Sequence, residues 1–336
     1  MTHGTSPIVV GVDAGGTKTE ALACDRDGRV LGFARAGKGN WETIGLDAAG
    51  KAFSEAVGGC LDAAGVGRRD VAASAFALAG LDWASDRAHL EPVVAGLGLS
   101  GPRTVVNDAF GALRAGSRRA DAVISIAGTG TVTAGRNAAG EVFRTLGVAC
   151  GERGGGANLV QAALDAVADQ LHRGQPAGEL ARRFCQETRV ESVEALFEHV
   201  SRNVTNRKQL AALAPAVRAA AQGSDRIAIG VLRATGRCLA RTTCIVADRL
   251  GLAAPGFDVV CAGSVHTAMV ELSRAFDKSV HRRCPDARIR RLEAPPVVGA
   301  ALLALDSLGS VTDDVTARLM EQATLAARRS REDSAR

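Results

Sequence analysis

Short apolar runs separated by glycine-containing turns mark the first third of the chain. Each run has the length and the flanking turn residues of a β-strand, and two longer segments carry apolar residues at helical spacing. The predicted strands span residues 8–13, 20–24, 30–34, 73–79 and 104–106, and the predicted helices span residues 47–64 and 85–97. This mixture of strands and helices indicates an α/β protein.

A second series of the same kind begins at residue 122. Residues 122–127 predict a strand that enters a Gly-Thr-Gly-Thr turn, and short strands are expected over residues 132–134 and 142–143. Both series have the order strand, Gly/Thr turn, strand, glycine-containing turn, strand. The repetition predicts an internal duplication of one hairpin unit.

The second half of the chain is mostly helical. The predicted helices span residues 157–171, 179–187, 193–200, 209–221, 225–250, 266–276, 297–308 and 313–327, and a buried strand is expected over residues 257–262. The long helix over residues 225–250 carries an apolar stripe that we expect to face the core. The stripe consists of Val231, Cys238 and Ile245, spaced by seven residues, with Leu232, Leu239 and Val246 beside them.

No Pro/Ser-rich linker divides the chain, so we expect two lobes joined by a hinge near residues 110–120. The predicted N-terminal lobe spans residues 1–115 and the predicted C-terminal lobe spans residues 116–310. A terminal helix over residues 311–336 is expected to pack back on the N-terminal lobe.

Composition narrows the class of protein. The chain has 336 residues, 46% of them hydrophobic, and its eight cysteines are scattered without metal-ligand spacing, as in a reducing compartment. The sequence shows neither a signal-peptide pattern nor an apolar run of about 20 residues, which predicts a cytoplasmic protein without a membrane partner. A net charge of +5 with 3% aromatic residues and no tyrosine argues against nucleic-acid binding.

The first turn places an acid, two glycines, a hydroxyl and a cation together. They are Asp13, Gly15, Gly16, Thr17 and Lys18. Glycines let backbone amides approach phosphate oxygens, a hydroxyl adds a hydrogen bond, and the carboxylate suits a hydrated magnesium ion. Taken alone, the segment is equally well explained as a plain hairpin turn. For Lys18, a solvated side chain is the alternative to a phosphate contact.

Two further glycine turns follow predicted strands. The second hairpin carries Gly128, Thr129, Gly130 and Thr131 without a carboxylate, and it suits the phosphates of a nucleotide. Gly263 and Ser264 then lie between a buried strand and a helix, where an anion or a nucleotide binds readily. A simple strand-to-helix turn is the alternative. His266 either contacts a nucleotide base there or only occupies the start of the helix.

Asp108 lies between the two hairpin units, where a strand ends and a helix begins. One interpretation is structural, because Asn107 or Asp108 is a suitable helix N-cap. The other is catalytic, because α/β enzymes place working groups at the carboxyl ends of strands.

Taken in order, these motifs resemble the N-acetylglucosamine kinase and bacterial glucosamine kinase group within the BadF/BadG/BcrA/BcrD ATPase family, part of the actin/sugar-kinase/Hsp70 superfamily. The resemblance covers most of the chain. It rests on residues 13–17, 39–41, 44–45, 77–80, 107–111 and 126–131, followed by residues 151–156, 263–265 and 295–301.

The resemblance implies a two-lobed, duplicated ribonuclease H-like fold of the actin/hexokinase type, with mixed sheets flanked by helices. It implies ATP and Mg²⁺ as cofactors, an amino sugar as the substrate and a homodimer as the assembly. Asp13 is expected to hold the metal, and Asp108 to contact the sugar and act as the base. The turns at residues 15–18 and 128–131 are expected to bind the phosphates of ATP, and Gly263 and Ser264 its adenosine. The implied sugar-binding residues are Asn40, Trp41, Gly80, Asp108 and Glu152.

The identity of the sugar stays open at this level. N-acetylglucosamine, free glucosamine and a related hexose all suit the motifs, and the Glu152-Arg153 pair departs from the usual family loop.

Two other functions are alternatives to a sugar kinase. One is an activator ATPase of the 2-hydroxyacyl-CoA dehydratase type with an iron–sulfur cluster, for which Cys150 is a candidate ligand without a matching second cysteine. The other is a non-catalytic, nucleotide-dependent sensor.

Overall fold

The computed structural model describes residues 6–147, 152–252, 256–309 and 311–334. Within them the chain divides into two compact units. The first unit combines the residues up to Arg118 with those from Leu292 onward, and the second comprises residues 119–291. Each unit is built around one five-stranded sheet.

Ten strands form these two sheets in the described part of the chain. The strands of the first unit are β1 (Ile8–Ala14), β2 (Thr19–Asp25), β3 (Val30–Ala36), β4 (Val71–Leu78) and β5 (Arg103–Asn107). Those of the second unit are β6 (Ala122–Ala127), β7 (Thr131–Arg136), β8 (Val142–Arg144), β9 (Asp258–Ala262) and β10 (Arg288–Arg291).

Helices account for most of the remaining described residues. They are α1 (Trp41–Ile44), α2 (Leu46–Ala64), α3 (Ala84–Gly96), α4 (Asp108–Gly116), α5 (Gly156–His172), α6 (Glu179–Thr188), α7 (Val193–Asn203), α8 (Arg207–Ala211), α9 (Ala214–Gln222), α10 (Arg226–Arg249), α11 (Ser264–Ala268), α12 (Val270–Arg283), α13 (Val297–Asp306) and α14 (Asp313–Ser334). None of the described helices combines the length and the apolar content needed to cross a bilayer.

The two sheets have the same topology. In the first sheet the order is β3-β2-β1-β4-β5, with β1 antiparallel to β2 and parallel to β4. In the second sheet the order β8-β7-β6-β9-β10 repeats this arrangement, with β6 antiparallel to β7 and parallel to β9. The predicted duplication is therefore confirmed. The last strand, β10, was not predicted, because Ile289 is its only apolar residue.

The first sheet is buried on both faces. On one face Val10 and Phe76 pack with Phe53 of α2. On the other face Val9 packs with Leu302 of α13, and residues of α14 extend the same cluster. The alternation of inward residues along β1 therefore supplies two cores, as expected for a strand covered on both sides.

The boundaries of the two units differ from the predicted lobes of residues 1–115 and 116–310. Residues 292–309 belong to the first unit, because α13 packs against β1 and α4 through small residues. The terminal helix α14 lies against β3 of the same unit. There the side-chain oxygen of Gln322 accepts a hydrogen bond of 2.9 Å from the backbone N–H of Val30.

The apolar stripe of α10 was predicted only in part. Leu232, Leu239 and Val246 are buried as expected, but Ile245 is 45% exposed, and Val231 and Cys238 are half-buried. Adjacent residues point about 100° apart on a helix, and the buried face of α10 extends from Leu232, Leu239 and Val246 towards Gly236, Ala240 and Ala247, which leaves Val231, Cys238 and Ile245 at its edge or outside it. The other half of the predicted stripe was wrong for this reason.

Two predicted helices are broken in the structure. The segment over residues 209–221 divides into α8 and α9, with Pro215 in the first turn of α9, where its missing N–H costs nothing. The segment over residues 266–276 divides into α11 and α12 because Met269 has extended backbone angles. Both breaks bring short helices next to the second glycine turn.

Close packing of α13 generates the first testable prediction. A Cβ on Gly299 would overlap the carbonyl oxygen of Gly111, whereas a Cβ on Gly230 of α10 would meet nothing within 4 Å. We expect Gly299→Ala to lower the free energy of unfolding by about 1–3 kcal/mol through overpacking. The matched change Gly230→Ala should raise it by about 0.5–1 kcal/mol through helix propensity. Urea denaturation measures both, and a stabilising Gly299→Ala would contradict the packing described.

Candidate active site

Three parallel strands of the first unit end at one edge of the sheet. The register pairs Ala14 of β1 with Leu78 of β4, and Leu78 with Asn107 of β5. Asp13 therefore lies near the end of β1, and Asp108 directly follows the end of β5. Parallel pairing thus brings together two carboxylates that are far apart in the sequence.

The turn between β1 and β2 is held in place by backbone hydrogen bonds. The N–H of Gly15 donates to the carbonyl oxygen of Lys18 at 2.9 Å, and the carbonyl oxygen of Gly15 accepts from Gly39 at 2.9 Å and Asn40 at 3.2 Å. Gly16 and Thr17 are exposed, and a Cβ on Gly16 would meet nothing within 4 Å. The tip of the turn is therefore open to a ligand, as a phosphate-binding turn requires.

Asp13 carries a buried carboxyl group whose surroundings disfavour its ionised form. It is only 9% exposed, and burial is the main reason why its pKa rises from 3.8 to about 8. The negative charges of Asp108 and Glu20 raise the pKa further, and Lys18 opposes them. A cation beside Asp13 would relieve this repulsion, so the site fits a magnesium ion.

Glu20 is a charged residue of this site that the sequence did not single out. It lies opposite Asp13 in the β1–β2 pair, it is fully buried, and its Oε1 lies 2.5 Å from both Lys18 Nζ and Arg35 Nη2. Its Oε2 has no hydrogen-bond partner among the described residues. Lys18 is therefore held in an ion pair rather than fully solvated. The only signal in the sequence for Glu20 was its position at the start of β2, just after the glycine turn.

The alternative interpretations of Asn107 and Asp108 are separated by the geometry of α4. Asn107 is the N-cap, because its Oδ1 accepts a hydrogen bond of 3.0 Å from the N–H of Ala109. Its Nδ2 donates to Oδ1 of Asp82 at 2.9 Å. Capping is thus carried out by Asn107, and Asp108 occupies the first position of the helix.

Three of the predicted sugar-binding residues lie together next to β4. Trp41 Nε1 donates a hydrogen bond of 2.7 Å to the carbonyl oxygen of Gly80. Gly80 has a φ of 82°, and a Cβ there would lie 2.8 Å from Oδ1 of Asn40. That oxygen accepts from the N–H of Glu42 at 2.9 Å and so caps α1. Only glycine fits this junction.

The glycine turn of the second unit, residues 128–131, is hydrogen-bonded to the start of α5. The N–H of Gly128 donates to the carbonyl oxygen of Gly130 at 2.9 Å, and Gly128 accepts from the N–H of Gly156 at 2.7 Å. The hydroxyl of Thr131 donates to the carbonyl oxygen of Ile126 at 2.9 Å. Thr129 and Gly130 remain exposed at the tip. The hydroxyl of Thr131 therefore supports the turn itself.

A cavity of about 400 Å³ opens next to this turn inside the second unit. Gly128, Thr129 and Ser264 line it, together with two cations, Lys208 and Arg218, that the sequence analysis missed. Gly263 has a φ of 93° and lies against the carbonyl group of Ala127. The predicted adenosine turn is thus next to the predicted phosphate turn, and the volume suits a small ligand. Lys208 and Arg218 gave no local signal, because helix packing alone brings them here.

Glu152 is a buried acid with one unused oxygen. Its Oε1 accepts a hydrogen bond of 3.2 Å from the N–H of Gly147, and its Oε2 has no partner among the described residues. The side chain is 5% exposed, whereas the next residue, Arg153, is exposed. A hydroxyl donor from a ligand would satisfy the open oxygen. Gly151, in the same predicted loop, lies outside the described residues.

His266 does not take part in the nucleotide cavity. It is 2% exposed, its Nε2 lies 3.0 Å from Oγ of Ser125, and its ring meets Phe276 edge-on at 4.9 Å. Burial lowers its pKa to about 3, so the ring is neutral. The suggested contact of His266 with a nucleotide base is therefore wrong, and the residue belongs to the core.

Metal-binding clusters are not found in the part of the chain that the structure describes. No group of three or more His, Cys, Asp or Glu residues there could hold a metal ion. This is compatible with magnesium, which often uses one or two carboxylates together with substrate phosphates. Cys150, considered above as an iron–sulfur ligand, lies outside the described residues.

Two characterised kinases are similar in sequence over nearly their full length. The N-acetylmuramic acid/N-acetylglucosamine kinase of Clostridium acetobutylicum is 25% identical over 298 residues, which cover 88% of this chain and 97% of that protein. The N-acetyl-D-glucosamine kinase of Dictyostelium discoideum is 27% identical over 313 residues, covering 89% and 98%.

Solved structures support the fold. A candidate N-acetylglucosamine kinase from Chromobacterium violaceum superposes with a TM-score of 0.69 at 20% identity, covering 89% of this chain and 99% of that one. A ROK family glucokinase from Streptomyces griseus, in complex with glucose and AMPPNP, gives 0.54 at 19% identity with the same coverage. The sequence profile of the BadF/BadG/BcrA/BcrD ATPase family matches residues 10–304. The resemblance seen in the motifs is therefore confirmed: the chain belongs to the BadF/BadG/BcrA/BcrD ATPase family and has the actin/hexokinase-type fold of sugar kinases.

Proposed function

We propose that the protein is an ATP-dependent kinase that phosphorylates a hydroxyl group of an amino sugar. The observation that carries this proposal is the placement of two carboxylates, Asp13 and Asp108, next to an open glycine turn. A metal-binding acid and a base beside a phosphate-binding turn are the groups that phosphoryl transfer to an alcohol needs. The names of the related kinases support an amino sugar as the acceptor.

The nucleotide is bound by backbone groups and cations in this proposal. The turns at residues 15–18 and 128–131 donate N–H groups and hydroxyls to the phosphates of ATP, and Lys18 adds a positive charge. The cavity lined by Ser264, Lys208 and Arg218 takes the adenosine end. Asp13 would hold the magnesium ion, whose charge neutralises the phosphates when it is bound. Glu20 keeps Lys18 in a fixed position through the ion pair described above.

Asp108 acts as the general base. Its carboxylate accepts the proton of the attacking sugar hydroxyl, for which we propose the 6-OH, while the oxygen forms its bond to the γ-phosphorus and ADP leaves. Because Asn107 caps α4, Asp108 does not have to serve as the cap. The rigid end of β5 and the start of α4 hold it in place.

The sugar is recognised by Asn40, Trp41, Gly80 and Glu152 in addition to Asp108. The hydrogen bond between Trp41 and Gly80 fixes the indole ring next to the carboxyl edge of the first sheet. The unused Oε2 of Glu152 is a suitable acceptor for a sugar hydroxyl.

We further propose that the enzyme works as a homodimer in the cytoplasm. Light scattering can test the assembly, and cell fractionation can test the location.

A screen of acceptors tests the activity. With ATP and Mg²⁺, we expect phosphorylation of an amino sugar such as N-acetylglucosamine or glucosamine in preference to glucose, with phosphate on O6, and the screen also includes N-acetylmannosamine and N-acetylmuramic acid. Release of ADP measures the rate, and ³¹P–¹H correlation spectra identify the phosphorylated oxygen. If ATP turnover is the same with and without every sugar, the sensor function would replace the kinase.

Asp108→Asn tests the base. We expect kcat to fall by about 10²-fold or more, while the dissociation constants of ATP and the sugar change only a few-fold, because the amide keeps the shape but cannot accept the proton. Asp62→Asn, an exposed acid on α2 of the same unit, is the control and should keep full activity. An unchanged kcat in Asp108→Asn would remove this residue from the mechanism.

The raised pKa of Asp13 predicts a pH dependence of stability. Without a divalent cation the folded protein keeps the Asp13 proton up to about pH 8, whereas the unfolded chain loses it near the ordinary pKa of 3.8. The stabilising contribution is therefore complete at low pH and is lost as the pH rises towards about 8.

Asp13→Asn removes this titration. In EDTA, the Tm of the variant relative to the wild type should increase as the pH is raised through this range. Addition of ADP with Mg²⁺ should raise the Tm of the wild type but far less that of the variant, because the metal ligand is gone. A Tm difference that is independent of pH, or an equal response to Mg²⁺, would contradict the role of Asp13.

A further inference from the structure

The second unit carries a groove lined almost entirely by cations. Its volume is about 430 Å³, and it lies between α10 and α12. Neither the proposed nucleotide site nor the sugar-binding residues use it. The lining residues are Arg233, Arg237, Glu271, Arg274, Ala275, Lys278, Ser279 and Arg282, so five cations face one carboxylate.

The cations of the groove differ from their neighbours in their pairing. Nearby, Arg283 pairs with Asp248 at 2.5 Å and Arg291 pairs with Asp277 at 2.7 Å. Asp258 forms ion pairs with Arg288 and Arg290 of β10. In the part of the chain that the structure describes, none of the five groove cations has a carboxylate within ion-pair distance. The groove therefore keeps an uncompensated positive charge.

Helix packing brings these cations together. A Cβ on Gly236 would overlap the carbonyl oxygen of Leu272, so the backbones of α10 and α12 approach very closely there. Farther along, Sγ of Cys244 lies 3.9 Å from Sγ of Cys284, which shows that the helices run side by side in the same direction. The close approach places the two cationic rows on opposite walls of one groove.

The cations are also spaced so that they repel one another. Arg233 and Arg237 are four residues apart on α10, and Arg274, Lys278 and Arg282 are four residues apart on α12. Like charges at this spacing destabilise a helix. An anion in the groove would turn this repulsion into attraction, as it does wherever guanidinium groups converge on phosphate.

We propose that this groove binds a linear polyphosphate chain. Two rows of cations along about two helical turns match a chain of negative charges better than they match a single phosphate ion. None of the lining residues is aromatic, so the groove offers a base only the guanidinium planes of its arginines to stack on. This favours an inorganic chain over a nucleotide or a nucleic acid, for which aromatic stacking supplies much of the binding.

Calorimetric titration with inorganic tripolyphosphate tests the proposal. The full-length protein is first saturated with excess ADP, so that the proposed nucleotide turns are occupied. We expect one tripolyphosphate to bind per chain, with affinity that falls as salt is added. In Arg237→Gln/Lys278→Gln the dissociation constant should rise about tenfold or more, because two charge-assisted contacts are lost. The control Arg69→Gln/Arg329→Gln removes the same charge from exposed positions in the first unit and should bind like the wild type.

Thermal denaturation gives a second test, in which the groove substitutions should have opposite effects on stability without and with the ligand. Without any ligand at low salt, the groove variant should unfold at the same Tm as the wild type or higher, since repulsion is relieved. With tripolyphosphate the wild type should gain more stability than the variant. The proposal would be overturned if both double variants bind equally, if orthophosphate binds as tightly as tripolyphosphate, or if a single-stranded oligonucleotide binds more tightly than either.

Discussion

The parallel pairing of β1 with β4, and of β4 with β5, is the constraint on which the candidate active site depends. Because these strands share a direction, their carboxyl ends meet at one edge and deliver Asp13 and Asp108 together. The glycine turn, the cap formed by Asn107 and the hydrogen bond of Trp41 to Gly80 are all attached to these ends. A different strand order would separate every one of these groups.

The distribution of charge gives that edge its chemistry. Asp13, Glu20 and Asp108 concentrate negative charge in a largely buried place, and Lys18 and Arg35 offset only part of it. Burial first, and the neighbouring charges of Asp108 and Glu20 second, raise the pKa of Asp13. A cation bound at such a site would remove an electrostatic cost already present in the fold. The groove between α10 and α12 shows the reverse case, with an excess of positive charge that favours an anion.

The duplicated units have the same backbone but different chemistry. Asp13 and Ile126 occupy corresponding places, each one residue before the end of its strand and opposite the next strand of the hairpin. The second copy thus has an apolar residue where the first has the acid that we propose holds the metal. Gly80 and Gly263 both have positive φ just beyond the neighbouring parallel strand, Gly80 two residues after the end of β4 and Gly263 one residue after the end of β9. The strand order and the hairpin turn are repeated, while the side chains place the proposed catalytic carboxylates in one unit and the proposed adenosine cavity in the other.

Local patterns in the sequence were enough to predict nine of the ten described strands, the two hairpin turns and the duplication, because alternation, helical spacing and turn residues act over a few neighbours. The family followed from the resemblance of the ordered motifs. Pro215 was a local helix-boundary signal inside the predicted helix over residues 209–221, whereas the burial of Glu20 depended on contacts that those patterns do not encode. The same holds for α13, which returns to the first unit, and for the cationic groove, whose two rows lie about 40 residues apart in the chain and meet only through the packing of α10 on α12. The sequence by itself determined which elements form and which chemical groups they carry. Only the tertiary structure decided which of those groups meet, because the register of distant strands and the approach of distant helices are set by long-range packing.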